Sequence, residues 1–168
     1  MFKRILVAVD NSLPAGRALD TAVTMAQQLD AQLAVVHVVD WSRAFSPELA
    51  MVDQAKMTEL RGEGVTVLQE ACARVPQDLL EDGYLREGDP ADTILAMAAE
   101  WNAELIVIGS DSRGRLAHFL LGSTADSVIR KAKCPVVAVR ADVEVTAVAS
   151  SPVGTADVRT EIGLGSVG

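Results

Sequence analysis

The chain has 168 residues, of which 49% are apolar and 23% are charged, and its formal net charge at pH 7 is −8. This apolar content excludes disorder for most of the length, and a chain of this size can form one domain with its own core. The acidic balance argues against nonspecific binding to nucleic acid or to an anionic membrane surface, because both need basic patches.

The first forty residues predict a strand, a helix and a second strand. Residues 4–9 have a basic start at Arg4 and are then continuously apolar, which is typical of a strand buried on both faces. Asp10, Asn11 and Ser12 follow with loop and N-cap chemistry, and apolar residues then recur at helical spacing from 15 to 29. Residues 33–39 are the next apolar, largely β-branched run and predict the second strand.

The middle of the chain predicts a long helix and a third strand. Residues 46–75 mix polar and apolar residues in a mainly helical pattern. Gly62 and Gly64 predict a kink or a break near residues 61–64, since each glycine costs about 1 kcal/mol relative to alanine within a helix. Residues 84–87 predict a short third strand, and a turn at 88–90 leads into a helix over 91–101.

The most informative pattern follows in residues 105–140. Residues 105–108 predict a buried fourth strand that ends at Gly109 in a small polar loop, and Gly122 precedes Ser123 and Thr124 at a helix start. Free N–H groups and the positive end of the helix dipole favour a phosphate there. The helix over 123–132 leads to a fifth strand over 136–140. Alternating strands and helices predict an α/β fold with a parallel sheet and right-handed crossovers.

The segment from Gly109 to Ser123 resembles the universal stress protein family. Nucleotide-binding members of that family carry Gly, two residues, Gly, nine residues, Gly, and then Ser or Thr. Gly109, Gly122 and Ser123 match this motif, whereas Ser112 stands at the second glycine. The resemblance covers about residues 2–140. It implies a doubly wound, Rossmann-like, five-stranded parallel sheet of order 3-2-1-4-5 with helices on both faces, and a ligand site where strands one and four end.

The resemblance also implies roles for the candidate residues in an adenine-nucleotide site. Asp10 would accept a hydrogen bond from a ribose hydroxyl or the adenine amine, although its position also suits a cap of the next helix. Val38 would line the adenine pocket, and Gly109 would let the backbone turn off the strand towards the ligand. The phosphates would lie against the loop and the helix start, at Ser112, Arg113, Gly122, Ser123 and Thr124.

Ser112 leaves more than one function open. If its position needs a positive φ, a non-glycine residue there costs roughly 1–2 kcal/mol, which weakens binding about tenfold to thirtyfold. Our first hypothesis is a regulatory module that binds ATP or another adenine nucleotide, with Mg²⁺ as a candidate companion, and signals through an unidentified protein partner. The alternative is a dimeric stress protein that has lost its ligand and acts only by protein interaction. The sequence shows no nucleophile–base pair, so we predict no catalytic residues. If the chain were an enzyme, it would achieve at most slow ATP hydrolysis.

The end of the chain bears on oligomeric state. The fifth strand is expected at a sheet edge, where its apolar residues 136–139 favour pairing with another chain, and the resemblance implies a homodimer through it. Residues 141–168 contain four glycines and no aromatic residue, which predicts a flexible tail after a domain over 1–140. The tail could instead cover the open edge.

Targeting, metal and redox signals are sparse. Lys3 and Arg4 precede only five apolar residues, fewer than a secretory signal needs, and no apolar run approaches the length of a membrane span. Cys72 and Cys134 fit no metal or redox spacing and are expected to have a structural role. We therefore expect a cytoplasmic protein without a metal site and without membrane insertion.

Overall fold

A computed structural model describes residues 1–48, 50–110 and 122–141 of the chain. Within these ranges, no helix has both the length and the apolar character that crossing a bilayer requires. In chain order the elements are β1 (Arg4–Ala8), α1 (Leu13–Leu29), β2 (Gln32–Asp40), a 3₁₀ helix (Trp41–Ala44), β3 (Phe45–Ser46), β4 (Met51–Val52), α2 (Gln54–Ala73), β5 (Leu80–Gly88), α3 (Pro90–Glu100), β6 (Leu105–Ser110), α4 (Ser123–Lys131) and β7 (Val136–Arg140).

Five strands form one parallel sheet in the order β5-β2-β1-β6-β7. When the two-residue strands β3 and β4 are left out, this is the predicted order 3-2-1-4-5, so the doubly wound prediction is confirmed. Val7 in the central strand β1 lies opposite Val35 of β2 on one side and Val107 of β6 on the other. The winding reverses between β1 and β6, and parallel strands bring their carboxyl ends to the same edge.

The sheet is buried on both faces, as its continuous apolar strands predict. On one face, Ile5 and Val7 of β1 pack in a cluster with the buried alanines of α1 and with Ala71 of α2. On the other face, Leu6 packs with buried residues of α3 and α4, among them Ile94. The alternation follows from the two-residue period of a strand, which sends neighbouring side chains to opposite faces.

The segment before α2 differs from its prediction. Residues 46–53 were expected to start a helix, but residues 45–52 contain the antiparallel pair β3–β4, in which Phe45 lies opposite Val52. Helix α2 begins only at Gln54, after the carboxylate of Asp53 accepts hydrogen bonds from the N–H groups of two first-turn residues. The Asp53 N–H in turn donates to the Ala44 carbonyl at 2.8 Å, which ties the hairpin to the helix start.

The break predicted near residues 61–64 is wrong, because α2 runs without interruption from Gln54 to Ala73. Gly62 is exposed, and an added Cβ would meet nothing within 4 Å. Gly64 is buried, and a Cβ there would lie 2.9 Å from Cδ2 of His37 and 3.0 Å from Cγ2 of Val39. Gly64 therefore allows α2 to approach β2 closely.

Strand β5 is longer than the predicted 84–87. The prediction was too short because β5 is an edge strand, and its side chains carry a weak apolar signal. Its outer residues Glu81 and Asp82 are exposed, and a register shift separates the Leu33 pair from the Ala34 pair on β2. Trp101, at the end of α3, donates from its indole nitrogen to Glu81 at 3.0 Å. The start of β5 is thus held by a tertiary contact.

Both cysteines are partly buried and carry free thiols. Burial, and then the neighbouring Asp82 carboxylate, raises the pKa of Cys72. Burial also raises the pKa of Cys134, although its own backbone N–H opposes this change. Because the thiolate is the reactive form, raised pKa values make both side chains less reactive at neutral pH.

Candidate functional site

A crevice of about 420 Å³ opens where β1, β2 and β6 end. Its walls include six of the eight residues predicted from the sequence, namely Asp10, Val38, Gly109, Gly122, Ser123 and Thr124. The other two, Ser112 and Arg113, lie outside the described residues. The six meet because β1 pairs with β6, which brings the loop after β1 and the start of α4 to one edge of the sheet.

The N-terminus of α4 forms one wall of the crevice. Its N-cap is Gly122, and among the described residues no side chain caps it, whereas α1, α2 and α3 are capped by Ser12, Asp53 and Asp89. Ser123 begins the helix and lines the crevice. The first N–H groups of a helix have no partner inside the helix. This wall therefore offers hydrogen-bond donors and the positive end of a helix dipole to a ligand.

A carboxylate in the first turn of α4 is already neutralised. Asp126 accepts two hydrogen bonds from Arg130, at 2.9 Å and 3.1 Å, one helical turn further on. Both side chains are substantially exposed, so the pair adds little to stability. Its consequence for the site is that the Asp126 charge has a partner on its own helix.

Gly109 lies in the crevice, but for a different reason from the one expected. The predicted turn at this position is wrong, because β6 continues to Ser110 and Gly109 pairs with Val139 of β7. A Cβ at Gly109 would lie 2.6 Å from the Ala15 nitrogen and 2.6 Å from the Pro14 carbonyl carbon. The missing side chain thus lets the first turn of α1 rest on β6, and this contact places the β1–α1 loop at the crevice.

Asp10 lies in that loop. Its Oδ1 accepts a hydrogen bond from the Ser12 N–H at 2.9 Å. Ser12 itself caps α1, since its Oγ accepts from the Ala15 N–H at 3.3 Å. Asp10 therefore stabilises the loop and leaves the capping of the helix to Ser12. In the described part of the chain no donor contacts Oδ2, so one carboxylate oxygen of Asp10 remains available in the crevice.

Three further residues of the crevice were not predicted as functional. They are the ionisable residues His37, which lies within β2, Asp40, which ends β2, and Arg43, which follows it. His37, for which no partner was evident in the sequence, contacts the Val9 carbonyl through Nδ1 at 2.8 Å. The Asp40 Oδ1 accepts from Ser42, at 2.9 Å from the N–H and 2.6 Å from the hydroxyl. The available signal for Asp40 and Arg43 was a polar residue at or after the end of a buried strand, as at Asp10, whereas His37 within β2 gave no such signal.

The crevice has two chemically different ends. The α4 end presents N–H groups and the hydroxyls of Ser123 and Thr124, which suit an anion. The part of the crevice at the ends of β1 and β2 presents the carboxylates of Asp10 and Asp40, and Arg43 also lines the crevice. An elongated ligand with a phosphate at one end and hydrogen-bond donors at the other would match this distribution.

The comparisons with known proteins agree with this architecture. The model of the universal stress protein family matches residues 1–140. A universal stress protein of Thermus aquaticus is 37% identical over 140 residues, which cover 83% of this chain and 100% of that protein. A universal stress protein structure from Archaeoglobus fulgidus is 28% identical with a TM-score of 0.65, covering 83% of this chain and 99% of that one. A further structure from that organism, in complex with dAMP, is 29% identical with a TM-score of 0.60, covering 82% and 98%.

Proposed function

This chain belongs to the universal stress protein family, and on that premise we propose that it is a regulatory module that binds ATP or another adenine nucleotide. The observation that carries the proposal is the N-terminus of α4, which has no side-chain cap within the described ranges and lines the crevice with Ser123 and Thr124. In its occupied state the module would change its affinity for a protein partner in a stress response. The dAMP complex of the related Archaeoglobus fulgidus protein supports an adenine nucleotide as ligand.

The spacing of the strands supports one orientation of the nucleotide. Neighbouring strands lie about 4.8 Å apart, and the order across this edge is β6, β1 and β2. A phosphate at the start of α4, next to β6, would place the ribose near Asp10 at the end of β1. The base would then lie near Val38 on β2. Asp10 would accept a hydrogen bond from a ribose hydroxyl through Oδ2.

The phosphate-binding loop enters the proposal through its motif. We include Ser112 and Arg113 as phosphate contacts because of their positions between Gly109 and Gly122. Mg²⁺ is included as a companion of a triphosphate, which binds this cation through its own oxygens. Measuring affinities for ATP with and without Mg²⁺, and for AMP, would define the ligand.

Asp10 allows a controlled test of the site. In Asp10→Asn, the side-chain oxygen can still accept from the Ser12 N–H, but the negative charge is lost. We expect the affinity for AMP in isothermal titration calorimetry to fall roughly threefold to tenfold, since a charged acceptor contributes about 1 kcal/mol more than a neutral one. Asp53→Asn is the matched control, because Asp53 accepts similar backbone hydrogen bonds at the start of α2 and lies outside the crevice.

Two results would count against this function. No binding of AMP or ATP to the wild-type protein at millimolar concentration would reject it in favour of the family member that acts only by protein interaction. Equal losses in Asp10→Asn and Asp53→Asn would mean that the crevice is not the binding site. Native mass spectrometry of the purified protein adds a direct check, since a copurified nucleotide would appear as added mass.

We further propose a homodimer through β7. Among the described residues, β7 pairs only with β6, and its outer edge carries backbone groups that a second chain could use. A dimer mass for the full chain in light scattering would support this arrangement. A monomer mass that becomes a dimer after deletion of residues 141–168 would mean that the tail covers the edge, and a monomer in both cases would refute the proposal. We also propose that residues 1–140 form the functional domain and that the protein is cytoplasmic.

A further inference from the structure

We propose that a groove between α3 and α4 is a second ligand site, which binds a single-chain alkyl carboxylate such as a medium-chain fatty acid. The alkyl chain lies against the apolar lining of this α3–α4 groove, and the carboxylate contacts Lys133. The inference does not rest on the proposed nucleotide function, because it concerns a different edge of the sheet.

The α3–α4 groove lies at the edge of the sheet where the strands begin. It has a volume of about 550 Å³ and is lined by the second half of α3, the start of β6 and the segment that joins α4 to β7. The crevice, in contrast, opens where the strands end, and among the described residues none lines both cavities. A ligand in the groove therefore leaves the crevice free.

Most of the groove lining is apolar. Leu95 and Ala103 pack against the core cluster on this face of the sheet, to which the fully buried Ile106 belongs. Ala96 and Ala99 of α3 also line the groove and are exposed. The groove volume falls in the range of about 300–1,000 Å³ that is typical of small-molecule sites with mainly apolar walls. An alkyl chain in this groove would remove both its own surface and the apolar lining from water, which favours binding.

The polar groups of the groove are donors, and two of them are not engaged. Lys131 Nζ lies 3.0 Å from Oδ1 of Asp92, so its charge is already neutralised. Lys133 and Asn102 also line the groove, and within the described ranges no hydrogen bond or ion pair occupies either side chain. An ammonium and an amide are suitable donors to a carboxylate.

The surrounding charges favour a ligand with one negative charge. Helix α3 ends at Glu100 and α4 ends at Lys131, so the groove lies at the negative ends of two helix dipoles. These ends offset part of the charge of Lys133 and disfavour a doubly charged phosphate, for which the N-terminus of α4 at the crevice is better suited. One carboxylate on an apolar chain matches one unpaired ammonium beside an apolar surface.

The two cysteines allow a controlled measurement of occupancy. Cys134 lines the groove and packs with the cluster on the α3–α4 face, whereas Cys72 packs with the cluster on the opposite face of the sheet. Both thiols are free and partly buried. In one sample of the full chain, mass spectrometry can therefore follow alkylation by N-ethylmaleimide at the groove and at a remote thiol.

The first experiment uses hexanoate, octanoate and decanoate below their micelle concentrations. We expect affinity in isothermal titration calorimetry to rise roughly threefold to fourfold for each added methylene, as burial of that group predicts. At twice the measured Kd of decanoate, the alkylation rate at Cys134 should fall about threefold, because only the unbound protein reacts, while the rate at Cys72 stays the same.

Variants separate the head group from the chain. Lys133→Gln should weaken octanoate binding roughly twofold to fivefold, as an exposed ion pair predicts, and leave the affinity for 1-octanol unchanged. Lys56→Gln is the matched control, since Lys56 is an exposed, paired lysine of α2 outside the groove. Ala99→Leu should weaken both ligands roughly tenfold or more, because the larger side chain fills the groove. If Ala99→Leu does not fold, the exposed Lys133→Gln carries the test.

Several results would overturn the inference. They are no binding of decanoate at millimolar concentration, no dependence on chain length, equal protection of both thiols, and equal losses in Lys133→Gln and Lys56→Gln. Protection of Cys134 by AMP would assign the groove to a nucleotide instead. An alkylation rate at Cys134 that rises after deletion of residues 141–168 would assign it to the tail, and a rate that falls with protein concentration would assign it to a second copy of the chain.

Discussion

Replacing Gly64 by alanine tests whether close packing between α2 and β2 explains this glycine. Gly62 provides a matched control in the same helix, since both changes add one methyl group and both raise the helix propensity by about 1 kcal/mol. They differ in their surroundings. A Cβ at Gly62 would meet nothing within 4 Å, whereas a Cβ at Gly64 would meet three side chains of β2 and β5 at 2.9–3.0 Å.

The neighbours of Gly64 cannot move away easily. Val39 is only 2% exposed, and the His37 ring is held by its hydrogen bond to β1. Excess volume in a packed region costs about 1–3 kcal/mol. Subtracting the gain in helix propensity, we expect Gly64→Ala to lower the free energy of unfolding by up to about 2 kcal/mol, while Gly62→Ala raises it by about 1 kcal/mol.

The assay is urea unfolding at 25 °C, followed by circular dichroism, with the wild type and both variants at one pH. The two variants should differ by about 1–3 kcal/mol at equal m-values. If Gly64→Ala were as stable as Gly62→Ala, the close approach of α2 to His37 would not limit this position. The explanation for the buried glycine would then be wrong.

Three further predictions concern other contacts. Gly109→Ala should lower the melting temperature by about 2–12 °C and weaken AMP binding, because the added Cβ collides with the backbone of α1. An unchanged melting temperature in a thermal unfolding scan would contradict this. A Cβ at Gly83 would lie 2.6 Å from Sγ of Cys72, so Gly83→Ala should destabilise the protein less when Cys72→Ala is also present, as urea midpoints would show. The Arg61 hydrogen bond lowers the pKa of Glu87 from its ordinary 4.5. The difference in the free energy of unfolding between the wild type and Glu87→Gln should therefore be full at neutral pH and vanish as the pH falls below the lowered pKa. A difference that does not change with pH would contradict this.

Local sequence patterns predicted the main elements of this fold. Continuous apolar runs predicted the strands, the N-cap chemistry of residues 10–12 and the periodic apolar residues predicted α1, and the glycine motif predicted α4. These signals are local because propensity, capping and burial periodicity act over a few neighbouring residues. The β3–β4 hairpin escaped prediction because strands of two residues have no period to detect.

The family resemblance selected six candidate residues that the structure brings to one crevice, but the sequence reading misjudged why Gly109 is a glycine. It also assigned no role to His37. Both depend on groups far away along the chain. Gly109 contacts the first turn of α1, and His37 contacts Val9 on one side and Gly64 on the other. Spacing within one segment carries no information about such contacts.

The order of hydrophobic runs, caps and glycines thus predicted alternating strands and helices in a parallel sheet, and the family resemblance supplied the strand order and the edge of the sheet where a ligand would bind. Only the tertiary structure decided which glycines accommodate a neighbouring backbone or ring, which Asp10 oxygen is available and which nitrogen of His37 contacts the Val9 carbonyl. The reason is physical, since propensity is a property of each residue with its neighbours. Steric fit and hydrogen-bond pairing arise when separate elements pack together.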